Sequence, residues 1–206
     1  MVALASVLRA SDLKRSFESL PFTWGEIPRG ALTEIAGPAS SGRTAFLCSI
    51  LAAASAKQEF CALIDTQNVF DPISAAHAGV ALSQILWVRC GGNVEHALKV
   101  TDWLAQGGGF GLVALDLGDT PMKLAHHIPL AAWFRLRQAA ANTKTTLVSL
   151  AQRVHAPSCS ALKIELSRNR VIWRGTGPGR LLEGFAVTAA HVKDHRRHEA
   201  PVALQR

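Results

Sequence analysis

The stretch at residues 31–44, ALTEIAGPASSGRT, sets the reading of the whole chain. Ala31 to Ala36 is mostly apolar and reads as a short buried strand. It runs into Gly37-Pro38-Ala39-Ser40-Ser41-Gly42, residue types that tolerate tight backbone, and Arg43-Thr44 then opens an apolar stretch, Ala45 to Ala56, with no helix breaker inside it. A strand, a glycine-bounded loop and a helix together make a cradle for an anion, because backbone N–H groups and the positive end of a helix dipole point at one place. The alternative is a plain turn between a strand and a helix.

The spacing is G-x-x-x-x-G-[basic]-[ST], that of a P-loop, with Arg43 where the motif has Lys. In such a loop the Lys reaches the terminal phosphates of ATP and the hydroxyl at Thr44 is offered to Mg2+. An arginine keeps the charge but is longer and planar, so the exchange is not conservative at a fitted site. ATP and Mg2+ are the cofactors to expect if the loop is active, and the arginine weighs against them.

A chain of 206 residues has room for one α/β domain with short tails. Its 49% hydrophobic and 6% aromatic content is ordinary for such a domain. No apolar run reaches membrane-spanning length, and residues 1–8 lack the basic start and cleavage site of a secretory leader. Cys48, Cys61, Cys90 and Cys159 are isolated from one another, which reads as reduced, buried thiols of a cytoplasmic protein rather than metal ligands. His126-His127 is a lone pair without ligand spacing. The net charge of +7 is unevenly placed: residues 152–206 hold ten Lys/Arg against four acids, and residues 1–151 twelve against eleven. A basic segment beside a neutral core points to nucleic acid or an acidic partner, with a solubilising tail as the alternative for the last sixteen residues.

The order of elements follows from local signals. An amphipathic helix is expected over 3–20, a loop from Pro21 to Gly30, and then the central strand and cradle. Strands are expected at 60–64, 85–88, 110–116 and 145–150, each a continuous apolar run suited to a parallel strand buried on both faces. Between them, Asp71-Pro72 starts a helix that ends near Gly79, Asn93 caps a helix over 94–106, and 124–141 is helical with a kink near Pro129. The pattern then turns to strands at 161–167, 170–174 and 184–192. The fold class is α/β, a doubly wound, mostly parallel sheet with antiparallel strands at its C-terminal end. Three parts are expected: a helical segment over 1–24, a core over 25–192 and a basic, flexible tail over 193–206.

Ligands of such sheets bind at the carboxyl ends of the strands, where Gly37–Thr44, Asp65–Gln67, Asp116 and Gln152 all fall. Asp116, after four apolar strand residues, reads as the acid that holds Mg2+ beside a P-loop; an acid that merely caps a strand is the alternative. Hydrolysis also needs a group to polarise the attacking water, and the best-placed residue is Gln67, which orients a water but takes no proton. Turnover is therefore expected to be slow or absent.

Residues 25–174 resemble the core of the bacterial recombinase RecA. The matching stretches are GALTEIAGPASSGRT (30–44), ALIDTQNVFDPISAAHAGV (62–80), LWVRCGGNVEHALKVTDWLA (86–105), LVALD (112–116) and TTLVSLAQRV (145–154). The resemblance implies a RecA-like core, and places a catalytic Glu at the position of Gln67, an adenine-holding Tyr at that of Ser74, and a Lys at that of Arg43. It puts Asp71 and a γ-phosphate-sensing Gln152 with residues 37–44 among the nucleotide-binding groups. The segments matching the two DNA-holding loops are short, Leu117 to Lys123 and Arg153 to Ser160, and the family's N-terminal polymerising module and C-terminal domain find no clear counterpart.

PRGALTEIAGP (28–38) and GGFGLVALDL (108–117) resemble the short ImuA-type accessory proteins of SOS mutagenesis. That resemblance implies a role in translesion synthesis, with an error-prone polymerase-type partner or RecA itself. Three functions are carried forward: a scaffold with a degenerate ATP site, a DNA-dependent ATPase of the recombinase class, and an SOS cell-division inhibitor. Arg153, Lys163, Arg168, Arg170, Arg174, Lys193, Arg196 and Arg197 are the candidates for contact with single-stranded DNA or a partner.

Overall fold

The computed structural model describes residues 18–156, 158–191 and 197–203. Most of the helix expected over 3–20 lies outside these residues. Its end does not continue as helix: β1 (Ser19–Phe22) pairs antiparallel with β2 (Gly25–Pro28), so residues 19–28 form a hairpin that takes in most of the loop expected over 21–30. Leu20 and Ile27, opposed in this ladder, are both fully buried, and that burial is what fixes the segment as strand.

The central strand is β3 (Leu32–Ala36), buried at every position. It leads through the glycine-bounded loop into α1 (Arg43–Ala56), and the alternation continues as expected. In order come β4 (Cys61–Asp65), α2 (Pro72–His77), β5 (Ile85–Arg89), α3 (Val94–Gly107), β6 (Leu112–Asp116), α4 (Met122–His126), α5 (Leu130–Thr143) and β7 (Thr146–Ala151). Capping residues begin two of these helices. Asp71 accepts from the N–H groups of Ile73 and Ser74, with Pro72 at the first helical position, and Asn93 accepts from His96 N–H. The helix expected over 124–141 is two helices, because Pro129 sits before α5 in an extended conformation and ends the helical run at His127.

The C-terminal strands are longer than expected. β8 (Leu162–Arg174) is one strand, in which Asn169 is passed over by an irregularity between Arg168 and Arg170. It turns through residues 175–180 into β9 (Leu181–His191), which pairs with β10 (Arg197–Ala203). Residues 197–203 are thus a strand and not part of a flexible tail; Lys193 and Arg196 lie outside the described residues.

The large sheet has eight strands in the order β10-β9-β8-β3-β7-β6-β4-β5. The six from β8 to β5 run parallel, and β9 and β10 are antiparallel additions on one side. A core lies on each face. On one, Phe46, Leu47, Ile50 and Leu51 of α1 pack on Leu63, Ala114 and Val148, and the first hairpin closes over them with Phe22 and Trp24 each about 5 Å from the Phe46 ring. On the other, Ala97 of α3 and Trp133, Leu136 and Ala140 of α5 cover Ile64, Val113 and Leu147. Both faces of β3, β4, β6 and β7 are therefore buried, which is why they read as unbroken apolar runs, whereas β5 at the edge is partly exposed.

Candidate functional site

The parallel register aligns the carboxyl ends of four strands. Ala36 is opposite Ala151, Asp116 is opposite Leu150, and Asp65 is opposite Asp116. Gly37, Gln152, Leu117 and Thr66 consequently leave the sheet along one edge. Gly37 N–H donates to Ala151 O (3.2 Å), Leu117 N–H to Leu150 O (2.8 Å) and Thr66 N–H to Asp116 O (3.3 Å). The structure thus brings together the cradle, Asp116, Gln152 and the start of the 66–70 connector.

The loop at 37–42 has the tight geometry of a cradle. A Cβ on Gly37 would lie 2.7 Å from Leu166 O of β8, so no other residue fits there. Ser40 and Gly42 both have positive φ, 59° and 90°, and Gly42 O accepts the N–H of Phe46 to begin α1. Pro38, Ala39 and Ser40 are exposed, as is Thr44, while Ser41 is buried and its hydroxyl has no hydrogen-bond partner.

Arg43 departs from the arrangement expected of a phosphate-binding cation. Its side chain is only 9% exposed. Nη1 donates to Gly118 O at 2.6 Å, and Nη2 donates to Asp119 Oδ1 at 3.3 Å. The guanidinium is therefore fastened to the loop after β6, a reach that the fork of an arginine permits and a lysine ammonium would not reproduce. Asp116 belongs to the same knot: its Oδ1 accepts the Gly118 N–H at 2.7 Å. Burial pushes the Asp116 carboxyl up to about 6, against the opposing pull of the Gly118 N–H and the Arg43 guanidinium, while Asp65 and Asp119 add to the rise.

Other candidates are committed elsewhere. The Asp65 carboxylate, fully buried, accepts from Val69 N–H, Phe70 N–H and Trp87 Nε1–H, so it builds the 66–70 connector and does not serve the site. Gln67, on that connector, is partly exposed with its side-chain oxygen near Gly92. Asp71 caps α2 and also accepts from the Ser74 hydroxyl; these three hydrogen bonds hold its carboxyl below the usual range. The capping role is thus observed for Asp71, and nothing in its geometry assigns it a nucleotide. Gln152 is partly exposed one residue beyond β7.

Sequence reasoning missed Glu34. It lies in the middle of β3, 2% exposed, and accepts from His155 N–H (2.8 Å), Ala156 N–H (2.9 Å) and the Ser160 hydroxyl. The short segment after Gln152 is thereby pinned to the sheet. The available signal was an acid inside the strand LTEIA, all of whose positions are buried: a carboxylate there must find donors.

The basic candidates separate. Arg153 is exposed beside Gln152, and Lys163 is partly buried near the base of β8. Arg168, Arg170 and Arg174 lie on the outer length of β8, where the β8–β9 hairpin is exposed from Ser167 to Leu181 except at Ile172. Trp173 is exposed on this arm and Arg180 stacks over its ring at 4.6 Å. The backbone of Arg197 is in β10. Among the described residues no group of three or more His, Cys, Asp or Glu could hold a metal ion, and no helix is long and apolar enough to cross a membrane.

Comparison with known proteins agrees with this architecture. The family profile "RecA N-terminal domain" matches residues 18–123. Protein RecA of Herpetosiphon aurantiacus is 28% identical over 170 residues, which cover 71% of this chain and 47% of that protein. Protein RecA of Ectopseudomonas oleovorans and of Rhodospirillum rubrum are each 37% identical over 92 residues, or 45% of this chain and about a quarter of theirs. The chain spans about half the length, or less, of these curated relatives. With the profile covering half of the sequence and the parallel sheet carrying its loop at the expected strand end, the chain belongs to the RecA N-terminal domain family.

Proposed function

We propose that this protein is an accessory factor of the DNA-damage response, a RecA-like scaffold of the ImuA type acting in the cytoplasm in translesion synthesis, with little or no ATP hydrolysis of its own. The observation that carries the reading is Arg43. In place of a mobile ammonium at the phosphates there is a guanidinium tied to Gly118 O and Asp119. Gln67 at the position of the expected carboxylate adds to it, since an amide accepts no proton from water. A further support is the shortness of the segment after Gln152, held down by Glu34.

The partners proposed are an error-prone polymerase-type protein and RecA, with single-stranded DNA touched non-specifically through Arg168, Arg170 and Arg174. The test is analytical size-exclusion of the purified chain with each protein, with and without MgATP. A complex with either protein that forms equally well without nucleotide is the expected result. No complex with either, or one that forms only with MgATP, would reject the scaffold.

A second reading is a DNA-dependent ATPase that binds MgATP. The register favours it, because Gly37, Asp116 and Gln152 are brought to one edge in the order a nucleotide site requires. Phosphate release that rises on adding single-stranded DNA would select it.

A further inference from the structure

The expected ligands of a magnesium ion here are the Thr44 hydroxyl and the Asp116 carboxylate. Thr44 is exposed, but beside the Asp116 carboxylate stands a permanent positive charge of the chain itself. A Cβ placed on Gly118 would lie 2.9 Å from Asp116 Oδ1 and 3.3 Å from both Cζ and Nη1 of Arg43, so carboxylate and guanidinium close on the same small space. Arginine does not lose its proton in this range, and Arg43 is held in place by Gly118 O at 2.6 Å. A divalent ion entering beside Asp116 would meet that fixed charge at short range in a poorly solvated site. The residues present therefore do not fit the ion.

The anion side is different. The N-terminus of α1, a helix of 14 residues, opens at Gly42, and the buried Ser41 hydroxyl in the same loop has no partner. A buried hydroxyl without a partner costs free energy until something hydrogen-bonds to it. That hydroxyl lies against Gly37, so the donors a phosphate oxygen would take are the backbone N–H groups at the start of α1.

We propose that Arg43 is the resident cation of this site and that the 37–44 loop takes a polyphosphate anion without a divalent ion. This rests on reading the loop as a phosphate cradle, and it adds which ionic form of the ligand is taken. Arg43 places its charge beside Asp116 from the side of the β6 loop, offsetting part of the cost of burying that carboxylate, and the cradle binds phosphate by backbone and helix dipole. Loss of magnesium selectivity is then a consequence of the Lys-to-Arg exchange and not of a failure to fold.

The test is calorimetry of the full chain with ATP and with inorganic tripolyphosphate, each in excess magnesium chloride and in EDTA. The wild type is expected to bind both in EDTA, with an ATP affinity equal to or tighter than that in magnesium. Arg43→Lys is expected to reverse this, magnesium tightening ATP binding about tenfold or more. Magnesium tightening the wild type by about threefold or more would overturn the proposal. So would a wild type that binds neither anion in EDTA, or an Arg43→Lys variant with no magnesium dependence. Hydrolysis of MgATP by the wild type would reject both the scaffold reading and the proposal, whereas magnesium-tightened binding without hydrolysis would reject the proposal alone.

Discussion

Glu34 within β3, Asp65 at the end of β4 and Arg43 at the start of α1 are each tied to groups of the chain itself, whereas on the outer part of the β8–β9 hairpin Arg168, Arg170 and Arg180 lie on an exposed arm. The first region carries the motif shared with the family, and its charges are spent on holding loops. The second carries little of that motif, yet much of the chain's basic excess is on it. A P-loop pattern in a sequence therefore says where the backbone turns, while the use of its charges depends on what the neighbouring loops offer them. Here Gly118 offers a carbonyl to Arg43, and the sheet offers Glu34 to the segment after Gln152.

The largest expected effect is at Glu34. Glu34→Ala leaves His155 N–H, Ala156 N–H and the Ser160 hydroxyl without their acceptor in a buried place. A loss of about 3–5 kcal/mol is expected in denaturant unfolding. A loss below about 1 kcal/mol would mean that water replaces the carboxylate and that the closed loop is not what holds this region.

Asp116 gives the next effect, with the opposite sign. Its carboxyl is raised from 3.8 to about 6, so folding favours the protonated form. The associated stability is present below about pH 4, is lost as pH rises toward about 6, and then stays lost. At neutral pH Asp116→Asn should stabilise the fold by about 2 kcal/mol and flatten that slope. A melting temperature unchanged by the substitution across this range would show that Arg43 compensates the charge fully.

On the arm the expectation is a dissociation of stability from binding. Arg168→Ala with Arg170→Ala should alter stability by no more than about 0.5 kcal/mol, since both positions are exposed. The same pair should weaken single-stranded DNA binding and reduce its logarithmic salt slope by about one to two. An unchanged slope would remove these residues from the DNA contact. The smallest effect concerns the thiols. Burial raises Cys48 to about 11 and Cys61 to about 12, so iodoacetamide at neutral pH should label both far more slowly in the folded protein than in the unfolded one. Equal rates would mean that the α1 face opens readily.

The parallel half of the fold was legible because its central strands, β3, β4, β6 and β7, are apolar runs on two buried faces and because Asp71 and Asn93 announce their helices. Gly37 was legible for the same kind of reason, as a backbone constraint written into one residue. The break at Pro129 read as a kink, since a proline after His127 can begin a new helix as easily as bend an old one. Asn169 read as a break between two strands where it is an irregularity within one, and β10 was hidden in a charged segment whose strand character comes from pairing with β9. The site was legible only as a place. That Arg43 turns to Gly118, that Asp65 takes the Trp87 indole, and that Glu34 holds residues 155–160 are contacts across 22 or more positions of sequence. No local pattern carries them.

The most direct test of the central claim, that this site is closed on its own charges, is phosphate release from MgATP by the wild type, with and without single-stranded DNA, beside Arg43→Ala. The account predicts no turnover above that of the variant under either condition. DNA-stimulated release by the wild type that Arg43→Ala abolishes would contradict it, and would make Arg43 a working cation of an active ATPase.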